Sequence, residues 1–220
     1  PPEIAAADLA GLALELALWG TDGADLAFLT PPPAPALAEA RALLCGLGAL
    51  DAQGRITDHG RKIAALPVHP RLAHMLAVAG PDAATLAALL EERDPIRGAS
   101  AGLDLRLRAV RDPRGYEADH PERVDRGVVE RIRTEAKRLA RMVEPVTDQF
   151  SMAEMAALAY PDRIGLRRKG DEPRFVLSGG KGAVVGPADA LAKSRLIVAT
   201  DLDGDPREAK VRQGIEIGEP

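Results

Sequence analysis

The spacing of apolar residues predicts a helix at the start of the chain. Its apolar stripe recurs every three or four residues and consists of Leu9, Leu12, Leu16 and Trp19. Gly20 follows at the position where helices commonly end in a left-handed glycine. Asp8 precedes the stripe and is placed to cap its first turn.

A second group of signals predicts a compact helical motif with one hairpin. Pro31–Pro33 hold the backbone extended and then open a helix, because proline fits a first turn whose N–H groups have no helical partner. Residues 49–51 and 55–57 flank a glycine-containing turn suited to a short hairpin. Thr57 can then cap a third helix. Two helices, a hairpin and a helix within residues 1–66 predict a winged-helix domain.

Residues 67–147 carry only helical periodicity and predict a helical-bundle domain. Gly80, Pro81 and Asp82 are expected to end one helix and cap the next. A shorter helix is predicted over residues 103–110, followed by a polar loop at residues 112–119.

A long helix is expected next. Asp119 and Glu122 have the spacing of a capping box, which places the helix start there. The helix would continue to about Val143, roughly 36 Å at 1.5 Å per residue. Its apolar stripe comprises Val124, Val128, Ile132, Leu139 and Val143.

One face of this helix is a candidate nucleic-acid contact. Four basic residues at spacings of seven, four and four share that face: Arg126, Arg133, Lys137 and Arg141. Residues 123–141 hold seven basic and three acidic groups, a net charge of +4 (7 − 3). Such a face can follow a phosphate backbone. The alternative is a solvated face with ion pairs such as Glu130 to Arg133 and Glu135 to Arg138.

Residues 148–220 predict a last helix near 152–159 and then a small β-barrel, with an OB-fold as the candidate. Apolar residues in the final strand alternate with charged ones, whereas residues 175–177 and 196–198 are apolar runs typical of buried strands. The predicted fold is therefore mainly α with a small β part.

Bulk composition limits the function classes. The 220 residues carry a net charge of −4, and only 3% are aromatic. The charge is −4 over residues 1–66, +1 over 67–145 and −1 over 146–220, so a polyanion site must be a local stripe. No run of about 18 apolar residues occurs, which argues against a membrane partner and for a cytoplasmic protein. The single Cys45 is expected to be a core thiol.

Three short motifs resemble known sites, but each lacks an essential feature. Residues 179–182 lack the first glycine and the Ser or Thr of a phosphate loop, and are expected to form a hairpin turn. Residues 201–205 resemble a calcium loop but are followed by Pro206 where glycine is required. Residues 117–120 contain the letters of an Asp-Glu-Ala-His box in the wrong order. The four histidines show no metal spacing, so no catalytic, cofactor or metal residue is assigned.

Longer strings resemble a known family. Residues 66–76 (LPVHPRLAHML), with the upstream triple proline, GALD at 48–51 and TDHGR at 57–61, resemble DEAH-box RNA helicases. Residues 87–95 (AALLEERDP) and 158–164 (LAYPDRI) resemble the bacterial HrpB branch of that family. The resemblance covers essentially the whole chain.

The resemblance implies a winged-helix domain (1–66), a helical ratchet domain (67–147) and a last ratchet helix with an OB-like barrel (148–220). In this family these domains close over two RecA-like motor domains, which bind ATP and magnesium, and form a channel for single-stranded RNA. This chain has no ATPase motif of its own and is expected to guide the strand. Arg71 and His74 are further candidate contacts, although packing at the domain junction is an equal alternative.

Two features depart from the family pattern. Thr30 stands before the triple proline where an acidic residue is frequent, and Phe175 is the only aromatic residue of the barrel, which argues against a base-stacking platform. Two other functions remain open. A winged-helix DNA-binding regulator would need a basic recognition helix, although residues 1–66 are acidic. A scaffold would bind a protein partner through the barrel.

Overall fold

The computed structural model describes residues 8–205 and 207–218. The chain divides into two compact units, residues 1–77 and 78–220, with the boundary inside one helix. The first unit contains the winged-helix elements. The second contains the remaining helices and the barrel. The three-domain division with boundaries after residues 66 and 147 stays a prediction.

The first unit follows the predicted order of elements. Its helices are α1 (Ala10–Leu18), α2 (Ala34–Gly46), α3 (Asp58–Ala64) and the start of α4 (Pro70–Ala79). Between α2 and α3 a hairpin is closed by the Leu50–Ile56 bridge. The core combines Leu14 of α1, Leu44 of α2 and Ile63 of α3 with the hairpin residue Leu50.

Helix α1 ends as its sequence predicts, but one member of its stripe is misplaced. Gly20 has φ of 77°, and the N–H groups of Gly20 and Thr21 donate to the carbonyls of Ala17 and Leu16, which forms a Schellman motif. Trp19 was predicted to lie on the apolar stripe, yet 68% of it is exposed. The helix ends at Leu18, so Trp19 lies in the cap and no longer follows the helical stripe.

The third helix is fixed by a cap and by a close approach. The Thr57 side chain accepts a hydrogen bond from the Gly60 N–H, as predicted. A Cβ on Gly60 would overlap the Ala49 carbonyl oxygen and the Ile56 side chain. Glycine therefore allows α3 to pack directly on the hairpin.

The second unit contains one more helix than the sequence predicted. Its helices are α5 (Ala84–Glu91), α6 (Leu103–Arg111), α7 (Pro113–Asp119), α8 (Arg126–Ala140) and α9 (Met152–Ala159). A 3₁₀ turn, Gly80–Ala83, separates α4 from α5, and no side chain caps α5. The predicted polar loop at 112–119 is helix α7, because Asp112 caps it and Pro113 occupies its first turn.

The start of the long helix was also predicted wrongly. Asp119 is the last residue of α7, and Asp125 caps α8 by accepting the Val128 N–H. The helix has 15 residues, about 22 Å rather than 36 Å. The Glu117 carboxylate accepts the Val124 N–H, which holds the connection between the two helices.

The barrel is closed by five strands: β1 (Ile164–Arg167), β2 (Arg174–Leu177), β3 (Gly182–Val184), β4 (Leu196–Leu202) and β5 (Glu208–Glu216). Their order around the barrel is β1-β2-β3-β5-β4, with β4 pairing back to β1. Only the β3–β5 pair is parallel. Phe175 is fully buried in the barrel core. This architecture confirms the predicted small OB-like barrel.

Within the second unit the segment before α6 is tied to the barrel. Ala101 donates its N–H to Asp189 and accepts the Gly214 N–H. Arg106 of α6 is only 3% exposed and donates to the Gly102 carbonyl and the Asp94 carboxylate. The buried guanidinium thereby holds the loop between Asp94 and Gly102, which contacts the barrel through Ala101.

Two composition-based expectations need correction or qualification. Cys45 is exposed rather than in the core, since it lies on the outer side of α2 next to buried Leu44. The stretch Pro70–Glu91 is long and apolar enough to cross a membrane by length and composition alone. Of its most apolar 18-residue window, 67% is buried inside the protein, which is typical of a core helix.

Candidate nucleic-acid interface

Helix α8 presents one buried and one charged side, as the spacing predicted. The buried residues of the helix recur on a single stripe and are Val128, Val129, Ile132, Ala136 and Leu139. The predicted basic residues project from the flank of this stripe. The charged side is therefore available to solvent while the opposite side anchors the helix.

Two of the four predicted phosphate contacts already have partners in the protein. Arg126 forms an ion pair with Glu117 of α7, and this pair ties the start of α8 to the end of α7. Arg133 donates to the Val110 carbonyl through Nε at 3.1 Å and Nη2 at 2.8 Å, and pairs with Glu130 at 3.0 Å. Its guanidinium thus satisfies carbonyls at the end of α6. The spacing anticipated the Glu130–Arg133 pair, but it could not reveal that Arg126 binds Glu117 or that Arg133 binds the Val110 carbonyl.

Lys137 and Arg141 form the freer part of the face. Both are exposed and lie one turn apart at the end of α8. Within residues 8–205 and 207–218 neither has a carboxylate at ion-pair distance. Two uncompensated cations at the C-terminal end of a helix also interact favourably with its dipole.

Ion pairs reduce the effective charge of α8. Arg131 pairs with Glu92, and Arg138 pairs with Glu135. Side-chain hydrogen bonds from these arginines are the main cause that lowers the pKa of each carboxyl. Four of the seven basic residues between 123 and 141 are consequently paired with a carboxylate. The available positive charge is concentrated near the end of the helix.

Arg71 and His74 lie in the first unit and contribute little exposed charge. Arg71 is buried. The Nδ1 atom of His74 lies 2.7 Å from Nε2 of His59, so the two rings share a hydrogen bond. Burial, with a smaller effect of His59, lowers the pKa of His74 to about 4. His74 is neutral at pH 7 and can offer a phosphate no positive charge.

The spacing of the histidines in the sequence did not predict the His59–His74 pair. The two residues are 15 positions apart, one on α3 and one on α4, and only the fold brings them together. Burial also lowers the pKa of His59, with a smaller contribution from Lys62. Among the described residues no group of three or more His, Cys, Asp or Glu side chains is placed to hold a metal ion.

The three incomplete motifs have structural roles. At the β2–β3 turn the Gly180 N–H donates to the Leu177 carbonyl and Gly180 has φ of 92°, which confirms a hairpin turn. In the acidic loop, Asp203 accepts the Lys210 N–H and Asp205 accepts the Glu208 N–H. Those carboxylates organise the β4–β5 connection.

The residues resembling an Asp-Glu-Ala-His box lie on and just after α7, not in a loop. Glu117 binds the Val124 N–H and Arg126, and Asp119 pairs with Arg108. His120 stacks on Tyr116 at a centroid distance of 4.3 Å. These contacts fix the end of α7 and leave no open carboxylate pair for a magnesium ion.

Comparison with known proteins supports the winged-helix assignment. Residues 40–68 match the family model described as the helicase associated domain (HA2), winged-helix. This range covers the end of α2, the hairpin and α3.

Relatives cover much more of the chain. It is 36% identical over 204 residues, 90% of its length, to the ATP-dependent RNA helicase HrpB of Escherichia coli K12, of which it covers 23%. The probable ATP-dependent RNA helicase DHX35 of Homo sapiens is 38% identical over 81 residues, 36% of this chain and 12% of the relative. The chain thus spans about a quarter or less of these relatives.

Solved structures agree over nearly the full chain. A crystal structure of the E. coli DExH-box NTPase HrpB matches 99% of this chain and 26% of its own, with a TM-score of 0.76 and 33% identity. A second, described as the E. coli DEAH/RHA helicase HrpB, gives a TM-score of 0.74 at 30% identity. The chain is homologous to the C-terminal region of the HrpB-type DEAH-box helicases and contains a helicase-associated winged-helix domain.

Proposed function

We propose that this chain guides single-stranded RNA for an ATP-dependent helicase of the HrpB type. The observation that carries the proposal is the exposed pair Lys137 and Arg141 on α8, within a chain whose relatives are named RNA helicases. Cations one helical turn apart can contact successive phosphates of one strand. Sequence-independent contacts of this kind suit a protein that moves along RNA.

The residues present assign strand holding to this chain and ATP binding to the motor domains. ATP and magnesium would bind to RecA-like motor domains of the full-length cytoplasmic protein, which are also the partners of this module. The three predicted domains (1–66, 67–147 and 148–220) would hold the strand while the motor steps. Arg126 and Arg133 would support the face, since their guanidinium groups already bind Glu117 and the Val110 carbonyl.

A protein-binding role for the barrel is a second candidate, because its outer surface has an apolar pair. Leu166 of β1 and Val176 of β2 are direct cross-strand neighbours, and 50% and 40% of their surfaces are exposed. Such a pair can anchor a partner protein. A pull-down with the chain and its Leu166→Asp variant tests this, and equal retention of every partner by the two proteins would contradict it.

The main proposal is tested by titrating a labelled oligouridylate of about 12 nucleotides and a duplex DNA of equal length into the chain. We expect preference for the single strand, with an affinity that falls as salt rises from about 50 to about 200 mM. A preference for duplex DNA would favour a winged-helix DNA regulator. No binding of either ligand at the lower salt would overturn the guiding role of this module.

A further inference from the structure

The first unit contains an open groove that no sequence motif marks. Its volume is about 830 Å³, within the range of ligand-binding clefts, roughly 300–1,000 Å³. The walls come from α1 with its C-terminal cap and from the hairpin between α2 and α3. Ala13, Ala17, Leu50 and Ile56 contribute apolar surface.

Basic residues are concentrated in this groove. Residues 1–66 contain four basic side chains, Arg41, Arg55, Arg61 and Lys62. Three of them, all arginines, line the groove, whereas Lys62 does not. The most acidic third of the chain therefore places its positive charge in one cleft, which is complementary to an anionic ligand.

The two groove carboxylates are engaged in holding the backbone. Asp51 accepts the N–H groups of Gln53 and Arg55, and Asp22 accepts the Ala24 N–H. Asp51 also pairs with the Arg55 guanidinium at 3.0 Å. Arg41 donates to the carbonyl of Asp22, which leaves its charge uncompensated. In the described part of the chain Arg61 has no ion pair.

Trp19 supplies a stacking surface at the same groove. It is the only tryptophan of the chain, and 68% of it is exposed at the groove edge. An exposed indole beside arginines is the combination by which single-stranded nucleic acids are held, with bases stacked on the ring and phosphates near the cations. The Gln53 amide at the hairpin tip can donate to base edges or phosphates.

We infer that this groove binds a short segment of single-stranded nucleic acid, with a base on Trp19 and phosphates at Arg41 and Arg61. The inference rests on the proposed function for the class of ligand, but it uses residues separate from α8. It gives the winged-helix unit a strand contact of its own. An acidic peptide is the competing occupant, and comparing RNA with oligoglutamate distinguishes the two.

The experiment uses Trp19 fluorescence of the full chain, because no other tryptophan contributes to the signal. Unlabelled oligouridylate should quench the emission, and an oligoglutamate peptide of equal charge should not. Arg61→Glu should weaken the quenching-derived affinity roughly tenfold through loss of a phosphate contact, while its neighbour control Lys62→Glu changes it less than about twofold. With labelled RNA, Trp19→Ala should weaken binding about fivefold or more.

The outcomes separate this inference from the function proposed for α8. RNA binding without quenching, or equal effects of Arg61→Glu and Lys62→Glu, would overturn the groove assignment while leaving the α8 face in place. Quenching by the peptide alone would make the groove a protein-docking site and also overturn it. Quenching that survives Lys137→Glu would support the groove as an independent contact.

Discussion

The Nε2 atom of His59 lies 2.7 Å from the Nδ1 atom of His74, with the two rings nearly perpendicular and 5.0 Å apart. One proton lies between the rings, so one nitrogen donates and the other accepts, and the contact is lost once both rings are protonated. The pair joins α3 of the winged helix to α4.

Acidification should therefore destabilise the first unit. The pKa of His74 is about 4 in the folded protein and about 6.5 when unfolded, so the unfolded state binds its proton first as pH falls. Stability from this group is complete above pH 6.5 and declines between about 6.5 and 4. Allowing for solvent screening, we expect a loss of up to about 2 kcal/mol. Urea unfolding followed by Trp19 fluorescence measures it, and a His74→Asn variant should lose most of the pH slope.

Arg106 should be the most sensitive charged residue of the second unit. Arg106→Met would remove the guanidinium that donates to the Gly102 carbonyl and pairs with the Asp94 carboxylate, at a cost of about 3 kcal/mol. The matched control Arg108→Met removes an exposed ion pair to Asp119 and should cost less than about 1 kcal/mol. Denaturant midpoints measure both, and equal losses would contradict the clamp role.

Arg133 should contribute more to the free energy of unfolding than to RNA affinity. Arg133→Lys loses the planar fork that binds the Val110 carbonyl, and should lower the free energy of unfolding by about 1–2 kcal/mol. Lys137→Ala, on the same face and without an ion pair among the described residues, should change stability by less than about 0.5 kcal/mol. An Arg133→Lys protein of full stability but weakened RNA binding would restore Arg133 as a phosphate contact.

Gly60 should tolerate no side chain. Gly60→Ala forces its Cβ against the Ala49 carbonyl oxygen and should cost about 2–3 kcal/mol. Gly11, exposed within α1 and with open space around its Cβ position, is the control. Gly11→Ala should stabilise by about 0.5–1 kcal/mol, because alanine loses less backbone entropy. Thermal unfolding of both variants gives the comparison, and a neutral Gly60→Ala would show that α3 can move away from the hairpin.

Local signals predicted the helices and strands whose caps and periodicity agree. Thr57 caps α3 as predicted, and α9 starts at Met152, where the sequence predicted a helix. The barrel followed from two-residue alternation and glycine turns. The start of α8 was predicted wrongly because Asp119 and Asp125 both offer a helix cap. Asp125 is the cap used, since Glu117 binds the Val124 N–H and Ile96 forms a bridge with Val124. Such tertiary contacts leave no regular spacing in the sequence from which they could be predicted.

The candidate site was only partly predictable for the same reason. Helical spacing placed Lys137 and Arg141 on one exposed face, but it could not show that Arg133 binds a carbonyl 23 residues away. The histidine pair and the groove beside Trp19 also join residues from different elements. Periodicity assigned Trp19 to the apolar stripe of α1 because it could not show that the helix ends at Leu18.

The most direct measurement of the central claim is the affinity of Lys137→Glu for single-stranded RNA, compared with Lys193→Glu. Both changes reverse one exposed lysine in the second unit, on α8 and at the edge of the barrel respectively. We predict that Lys137→Glu weakens binding about tenfold at low salt and lowers the salt slope by about 0.7, while Lys193→Glu changes affinity less than about twofold. Equal effects of the two reversals, or none from Lys137→Glu, would contradict RNA guidance by α8.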